Sequence, residues 1–85
     1  MPSPKKTLQK VLSGKSDANI RFKDLRQLLK HLGFDERIRS SHHIFRKSGV
    51  IDKINLQSDG SQAKPYQVRQ VRKTILKYDL GDDES

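Results

Sequence analysis

The chain has 85 residues, with 18 lysines and arginines against 10 aspartates and glutamates, a net charge of +8 and a pI near 10.1. It contains no run of 18 apolar residues, no pattern of a secretory signal and no cysteine, so we expect a cytoplasmic protein without a disulfide framework, a cysteine-ligated zinc or a membrane contact. The length suits one small domain without an enclosed cofactor cavity, so no small-molecule cofactor is expected. A basic surface on so small a chain is typical of proteins that bind a polyanion, most often nucleic acid.

The acidic residues are concentrated at the C-terminus, where four of the ten lie in the last seven residues. Residues 1–78 therefore carry 18 basic but only six acidic side chains. The prolines at positions 2 and 4 and the terminal acids predict mobile ends. We predict a flexible N-terminus over residues 1–4, a single domain over residues 5–78 and an acidic tail over residues 79–85.

Two helices are predicted in the N-terminal part of the chain. In the first, Leu8, Val11 and Leu12 recur at helical spacing, and Ser13 and Gly14 end it. A polar connection over residues 14–21 follows. The second helix has Gly33 as its left-handed C-cap, and its apolar face comprises Phe22, Leu25, Leu28, Leu29 and Leu32.

Residues 34–56 alternate between apolar and polar side chains with the short period of β-structure, and Ser48–Gly49 forms a turn between two of the runs. We predict three short antiparallel strands there and a loop over residues 57–63. A last helix begins at Pro65, which suits a first helical position. Its apolar residues are Val68, Val71, Ile75 and Tyr78, and its basic ones are Arg69, Arg72, Lys73 and Lys77.

The order helix, helix, strand, strand, strand, helix predicts an α+β fold. The expected architecture is a two-layer sandwich, in which a three-stranded antiparallel sheet carries the helices on one face. The other face of the sheet is then open to solvent or to a partner.

The adjacent pair His42–His43 is the feature of the sequence that could carry chemistry. Neighbouring residues of a strand point to opposite faces, so only one of the two histidines can lie on the open face. Because Phe45 is the largest apolar residue of the strand, it should face the helices together with His43, which leaves His42 facing solvent. Two histidines on opposite faces cannot chelate one ion, and no metal site is expected.

An exposed histidine on a basic sheet can exchange a proton with a hydroxyl group near neutral pH. RNA supplies its own nucleophile, the ribose 2′-hydroxyl, so a phosphate held by arginine and lysine can be attacked without a metal. The residues alone nevertheless favour a non-catalytic RNA-binding module over an enzyme. A histidine that braces the strand, and a basic surface that docks an acidic protein, are the other open interpretations.

Short motifs occur in order at residues 22–25, 28–29, 32–34, 39–45, 54–57 and 64–68. Taken together, over residues 7–80, they resemble the HicA toxins of bacterial toxin–antitoxin systems. The motif of that family is Gly-Ser-His, and its serine and histidine fall on Ser41 and His42. Ser40 stands where the motif has glycine, which would weaken the site if that glycine holds a positive φ or lets a phosphate approach the backbone.

The resemblance implies a fold like that of double-stranded-RNA-binding domains and a toxin that cleaves mRNA without a metal. It also implies a HicB-like antitoxin that covers the active site and keeps the toxin inactive. His42 would be the general acid and base, and His43 is the second candidate. The expected RNA-binding residues are Arg39, Ser41, Arg46, Lys47, Arg69, Arg72 and Lys73.

Overall fold

The structure is a computed structural model that describes residues 3–81, and it has the predicted α+β fold with a three-stranded antiparallel sheet. Over these residues the chain forms three helices, the three-stranded sheet and a small two-stranded hairpin. The elements in chain order are α1 (Pro4–Ser13), α2 (Phe22–His31), β1 (Asp35–Arg39), β2 (His42–Lys47), β3 (Val50–Leu56), β4 (Ser58–Asp59), β5 (Gln62–Ala63) and α3 (Pro65–Lys77).

The main sheet has the order β1-β2-β3, and both of its pairings are antiparallel. In the first pairing Arg39 lies opposite His42, and Arg37 lies opposite Ile44. In the second pairing Ile44 lies opposite Asn55, and an irregularity follows between Phe45 and Lys47. The register thus brings β1, β2 and β3 side chains of one parity onto one surface.

The core lies between the sheet and the helices. Phe45 and Ile54 are fully buried on the inner face of the sheet, and Leu25, Val11 and Val71 are fully buried on the three helices. These residues have the helical and strand periodicities that the sequence showed, so the amphipathic patterns account for the packing. Gly33 follows α2 with φ 99°, which confirms the predicted left-handed cap.

The prediction of a plain loop over residues 57–63 was wrong. The segment forms the two-residue strands β4 and β5, in which Ser58 pairs with Ala63 and Asp59 pairs with Gln62. Strands this short carry no periodicity, so the sequence could not distinguish them from a loop.

The structure also bears on the two ends of the domain. α1 begins at Pro4, and the Ser3 side chain accepts a hydrogen bond from the Lys6 amide, so residues 3–4 belong to the helix start. At the other end, the Leu80 amide donates to the Ile75 carbonyl at 2.9 Å, and Leu80 packs against the core. Residues 1–2 and 82–85, which include most of the predicted acidic tail, lie outside the described residues.

None of the helices within residues 3–81 is both long enough and apolar enough to cross a membrane.

The turn between β1 and β2 contains a non-glycine residue in the left-handed region. Ser40 is the first of the two turn residues and has φ 56°, whereas Ser41 beside it does not have a positive φ. An L-residue other than glycine is strained in this region by about 1 kcal/mol or more. The position where the HicA motif has glycine is therefore one that favours glycine.

We expect Ser40→Gly to raise the free energy of unfolding by about 0.5–1 kcal/mol, because relief of strain exceeds the added flexibility of the unfolded chain. In thermal denaturation the midpoint should rise by about 2–6 °C. Ser41→Gly is the matched control and should lower the midpoint, since that residue has no positive φ to relieve. An equal loss of stability in both variants would contradict strain at Ser40.

Candidate functional site

The surface of the sheet that faces away from the helices is strongly basic. Its outward side chains, which we call the open face, are Asp35, Arg37, Arg39, His42, Ile44, Arg46, Lys53 and Asn55. A concave cleft of about 640 Å³ lies on this face. Arg37, Arg39, Arg46 and Lys53 all line it. Such a cluster of cations produces a positive potential in the cleft, which attracts anionic ligands and suits phosphate groups.

His42 lies on the open face next to the β1–β2 turn and is exposed, as the strand parity predicts. Its Nδ1 atom lies 3.2 Å from Oδ1 of Asn55, which is on β3. A carbonyl oxygen can only accept a hydrogen bond, so this contact suits the tautomer in which Nδ1 donates and the lone pair is on Nε2. Among residues 3–81, Nε2 has no hydrogen-bond partner. The ring is therefore held from one side and free to exchange a proton on the other.

Two further groups adjoin His42. Arg39 is its cross-strand neighbour, and both side chains are on the open face. In the turn, the Ser41 hydroxyl accepts a hydrogen bond from Nε2 of Gln57 at 3.0 Å. This bond links the β1–β2 turn to the residue that follows β3. A phosphate bound by Arg39 would therefore lie within the width of one strand pair from the imidazole.

His43 points to the opposite face and is half-buried beneath α2. Its Nδ1 lies 2.8 Å from Oε2 of Glu36, and its ring meets the edge of Phe22 with centroids 4.9 Å apart. Glu36 in turn receives two hydrogen bonds from Arg26, at 2.6 and 2.8 Å, and lies 3.5 Å from the Lys30 ammonium. His43 is thus a member of a polar cluster that joins β1 and β2 to α2.

The cluster strongly favours the ionised form of Glu36. The side chain is only 5% exposed, and the hydrogen bonds from Arg26 lower the pKa of its carboxyl from 4.5 to about 2, with further lowering by His43 and Lys30. Burial acts in the opposite direction but is outweighed. Because this carboxylate is occupied by three partners, it is not free to act as a base.

Two of the predicted RNA-binding residues are engaged elsewhere in the fold. Arg72 makes a bidentate pair with Asp17 at 2.9 and 3.2 Å and also donates to the Val11 carbonyl at 3.0 Å. Lys47 points to the inner side of the sheet and lies so close to Gly33 that a Cβ there would be 2.5 Å from its Nζ. Arg72 therefore ties α3 to α1, and Lys47 lies at the C-terminal end of α2.

Arg69 and Lys73 are exposed on α3 and project away from its buried side, which contains Val68 and Val71. Since the helices cover the inner face of the sheet, these two cations are on the helical layer and not on the open face. The structure thus puts Arg39, His42 and Arg46 on the open face, with Arg39 opposite His42 and Arg46 farther along β2 in the cleft, and Ser41 lies in the adjoining turn. His42 itself is not among the residues that line the cleft. Arg69 and Lys73 are separated from all of them.

The sequence interpretation missed three residues of the open face. Arg37 and Lys53 line the cleft, and Asn55 holds the His42 ring. Arg37 shares the parity of Arg39, so the strand period could have identified it. The other two depend on the register between β2 and β3, for which the sequence carries no local signal.

Within residues 3–81, no group of three or more histidine, aspartate or glutamate side chains is arranged so that it could hold a metal ion. Comparison of the chain with protein-family models, with curated proteins and with solved structures finds no match. The function has to be inferred from the residues of the site.

We expect Glu36→Gln to lower the free energy of unfolding by about 2 kcal/mol at pH 7, because it leaves Arg26 without its carboxylate partner. Because folding lowers the pKa of Glu36, its carboxylate stabilises the folded state at pH values above the unfolded-state pKa near 4.5. This stabilisation is lost as the pH falls towards the folded-state pKa of about 2. The difference between the wild type and the variant in urea denaturation should therefore shrink between pH 5 and pH 2.

Asp35→Asn is the matched control, since Asp35 is the neighbouring acid and is exposed on the open face. It should change the stability by less than about 0.5 kcal/mol. A difference between wild type and Glu36→Gln that is constant from pH 7 to pH 2 would contradict the assigned role of the carboxylate.

Proposed function

We propose that this protein is a metal-independent endoribonuclease that cleaves mRNA, acting as the toxin of a HicA-type toxin–antitoxin pair in the cytoplasm. The observation that carries the proposal is the imidazole of His42, held through Nδ1 by Asn55 and free at Nε2 on a basic face. The HicA-like order of motifs around Ser41 and His42 supports the same function. A HicB-like antitoxin is the expected regulatory partner.

His42 is the proposed general base. Its neutral Nε2 takes the proton of a ribose 2′-hydroxyl, and the oxygen attacks the adjacent phosphorus. A bond forms between the 2′-oxygen and phosphorus, and the bond from phosphorus to the 5′-oxygen breaks. The protonated imidazole then gives its proton to the leaving 5′-oxygen. The products are a 2′,3′-cyclic phosphate and a free 5′-hydroxyl.

The basic residues bind the RNA at different positions in this mechanism. Arg39, as the cross-strand neighbour of His42, is placed to bind the scissile phosphate and to stabilise the charge that develops on its oxygens. Arg37, Arg46 and Lys53 line the cleft and would bind the phosphates that follow. Arg69 and Lys73, on the helical layer, are proposed only as contacts for RNA that extends beyond the cleft.

We expect His42→Ala to abolish both RNA cleavage in EDTA and growth inhibition on induction, while the far-UV circular dichroism stays unchanged. RNA binding should persist, because the phosphate contacts remain. The wild-type products should end in a 2′,3′-cyclic phosphate, and an oligonucleotide with 2′-O-methyl groups should be bound but not cut.

His31→Ala and His43→Ala are the control variants for this experiment. His31 is exposed at the end of α2, and its loss should change neither cleavage nor stability. Loss of His43 should cost about 1–2 kcal/mol of stability through its bond to Glu36, while activity persists. Binding without any product in the wild type would instead support a non-catalytic RNA-binding module, and full activity of His42→Ala would refute the mechanism.

A second test concerns Asn55, which we propose as a positioning residue for His42. In Asn55→Asp a carboxylate stabilises the imidazolium form, so the acid limb of the pH–activity profile should move up by about one pH unit. In Asn55→Ala the ring is no longer oriented, and kcat should fall about tenfold or more with little change in KM.

The matched control is Asn19→Asp, which makes the same chemical change at an exposed position before α2, away from the sheet. It should leave the pH profile in place. A purely structural role of Asn55 would lower activity and stability together without moving the profile, and that pattern would contradict orientation of the ring.

A further inference from the structure

A buried glutamine caps the C-terminal end of the outer edge of β3. Gln67, at the start of α3, is 5% exposed, and its side-chain amide bonds to two main-chain groups of the strand edge. Its Nε2 donates to the Asn55 carbonyl at 3.3 Å, and its Oε1 accepts from the Gln57 amide at 3.0 Å. One amide thus takes the place of a residue from a neighbouring strand. Farther along, the Ile51 amide donates to the Tyr78 hydroxyl at 3.3 Å.

The edge of β1 has no such cover. β1 is the other outer strand of the sheet, and the pair Arg39–His42 flanks a two-residue turn, so Arg39 and Arg37 direct their main-chain groups towards β2. The amides and carbonyls of Glu36 and Ile38 therefore point outward. Among residues 3–81, none of the hydrogen bonds outside the regular elements reaches a main-chain group of β1.

The side chains along this edge define the partner that fits it. Arg37 and Arg39 lie on one side of the strand, and Ile38, which is 54% exposed, lies on the other. An added strand with the order acidic, apolar, acidic would put its acids beside the two arginines and its apolar residue beside Ile38. In this register every second side chain of the partner contributes charge and the others contribute apolar contact.

A second copy of the chain fits poorly in the antiparallel pairing that uses the main-chain groups of both Glu36 and Ile38. Antiparallel self-pairing centred on Arg37 joins Glu36 to Ile38 of the other copy, but it also sets Arg37 directly opposite itself. Like charges directly opposite one another destabilise a strand pair, and each chain has a net charge of +8. The same arginines that repel a second copy attract an acidic segment, so they favour pairing of the edge with an acidic strand over self-pairing.

We propose that the β1 edge binds an extended segment of an acidic partner protein, which adds to the sheet as a fourth strand. The main-chain groups of Glu36 and Ile38 supply the hydrogen bonds, and Arg37, Arg39 and Ile38 select the alternation of acidic and apolar residues. The inference rests on the fold and the edge, and it stands whether or not the protein cleaves RNA.

The test uses the full chain and a synthetic capped peptide of alternating glutamate and valine, with no RNA present. In hydrogen exchange followed by NMR, the amides of Glu36 and Ile38 should exchange freely in the protein alone and become protected about tenfold or more when the peptide is bound. A peptide of the same composition with separate glutamate and valine blocks should give no such protection. A lysine–valine peptide should bind more weakly by about tenfold or more.

Three variants separate the main-chain contribution from the side-chain contribution. Ile38→Pro removes an outward amide that β2 does not use, so the sheet should persist while affinity for the glutamate–valine peptide falls about tenfold or more. Ile38→Ala keeps that amide and should retain protection at Glu36. Arg37→Glu should reverse the preference between the two alternating peptides, and this readout survives even where the proline variant does not fold.

Several outcomes overturn the proposal. They are absence of binding up to about 1 mM peptide, protection at amides other than those of Glu36 and Ile38, and unchanged affinity in a folded Ile38→Pro. Sedimentation that shows a dimer protected at these amides would assign the edge to a second copy instead. None of these outcomes bears on cleavage by His42, so failure of the edge and failure of the ribonuclease are distinguishable.

Discussion

The burial of Phe45 in the middle of β2 determines the orientation of the whole sheet. Phe45 is fully buried against the helices, and a strand has a period of two, so His42, Ile44 and Arg46 must face outward. A slip of one residue would bury His42 and Arg46 and expose Phe45. Such a slip would be unfavourable by several kcal/mol, because the burial of a large aromatic ring would be lost. The chemistry of the open face is therefore a consequence of packing on the inner face.

Most of the acidic residues with ion-pair partners lie away from the open face, which leaves that face basic. Glu36 is bound beneath α2 by Arg26, Asp17 is bound by Arg72, and Asp52 lies 3.1 Å from the Lys77 ammonium. These acids neutralise cations that belong to the scaffold. The cleft is lined by three arginines and a lysine and by two acids, Asp35 and Glu36. Because Glu36 is already occupied by Arg26, a net positive potential remains in the cleft for a polyanion.

Much of this arrangement could be predicted from the sequence, and the limits have physical causes. Helical and strand periodicity were sufficient for the α+β architecture and for the opposite orientations of His42 and His43. The sequence predicted that Arg72 contacts RNA, but in the structure it binds Asp17, which is 55 residues away in the chain. Helical periodicity placed this arginine near the basic side of α3, but only the packing of α1 against α3 decides which partner it meets. For the same reason, the Asn55 contact of His42 depends on a register that no local pattern specifies.

The two outer strands of the sheet differ in whether their outward main-chain groups have hydrogen-bond partners. Gln67 occupies main-chain groups at one end of the β3 edge with the amide of a buried side chain, whereas within residues 3–81 the main-chain groups of the β1 edge have no such partner. The side chains of Arg37 and Arg39 line the cleft, and the main-chain groups between them form the open edge. A guanidinium that is paired with a carboxylate of an added strand is less available to a phosphate. Under the two proposals, an acidic strand at the edge and RNA on the open face would therefore compete for the same arginines without occupying the same space.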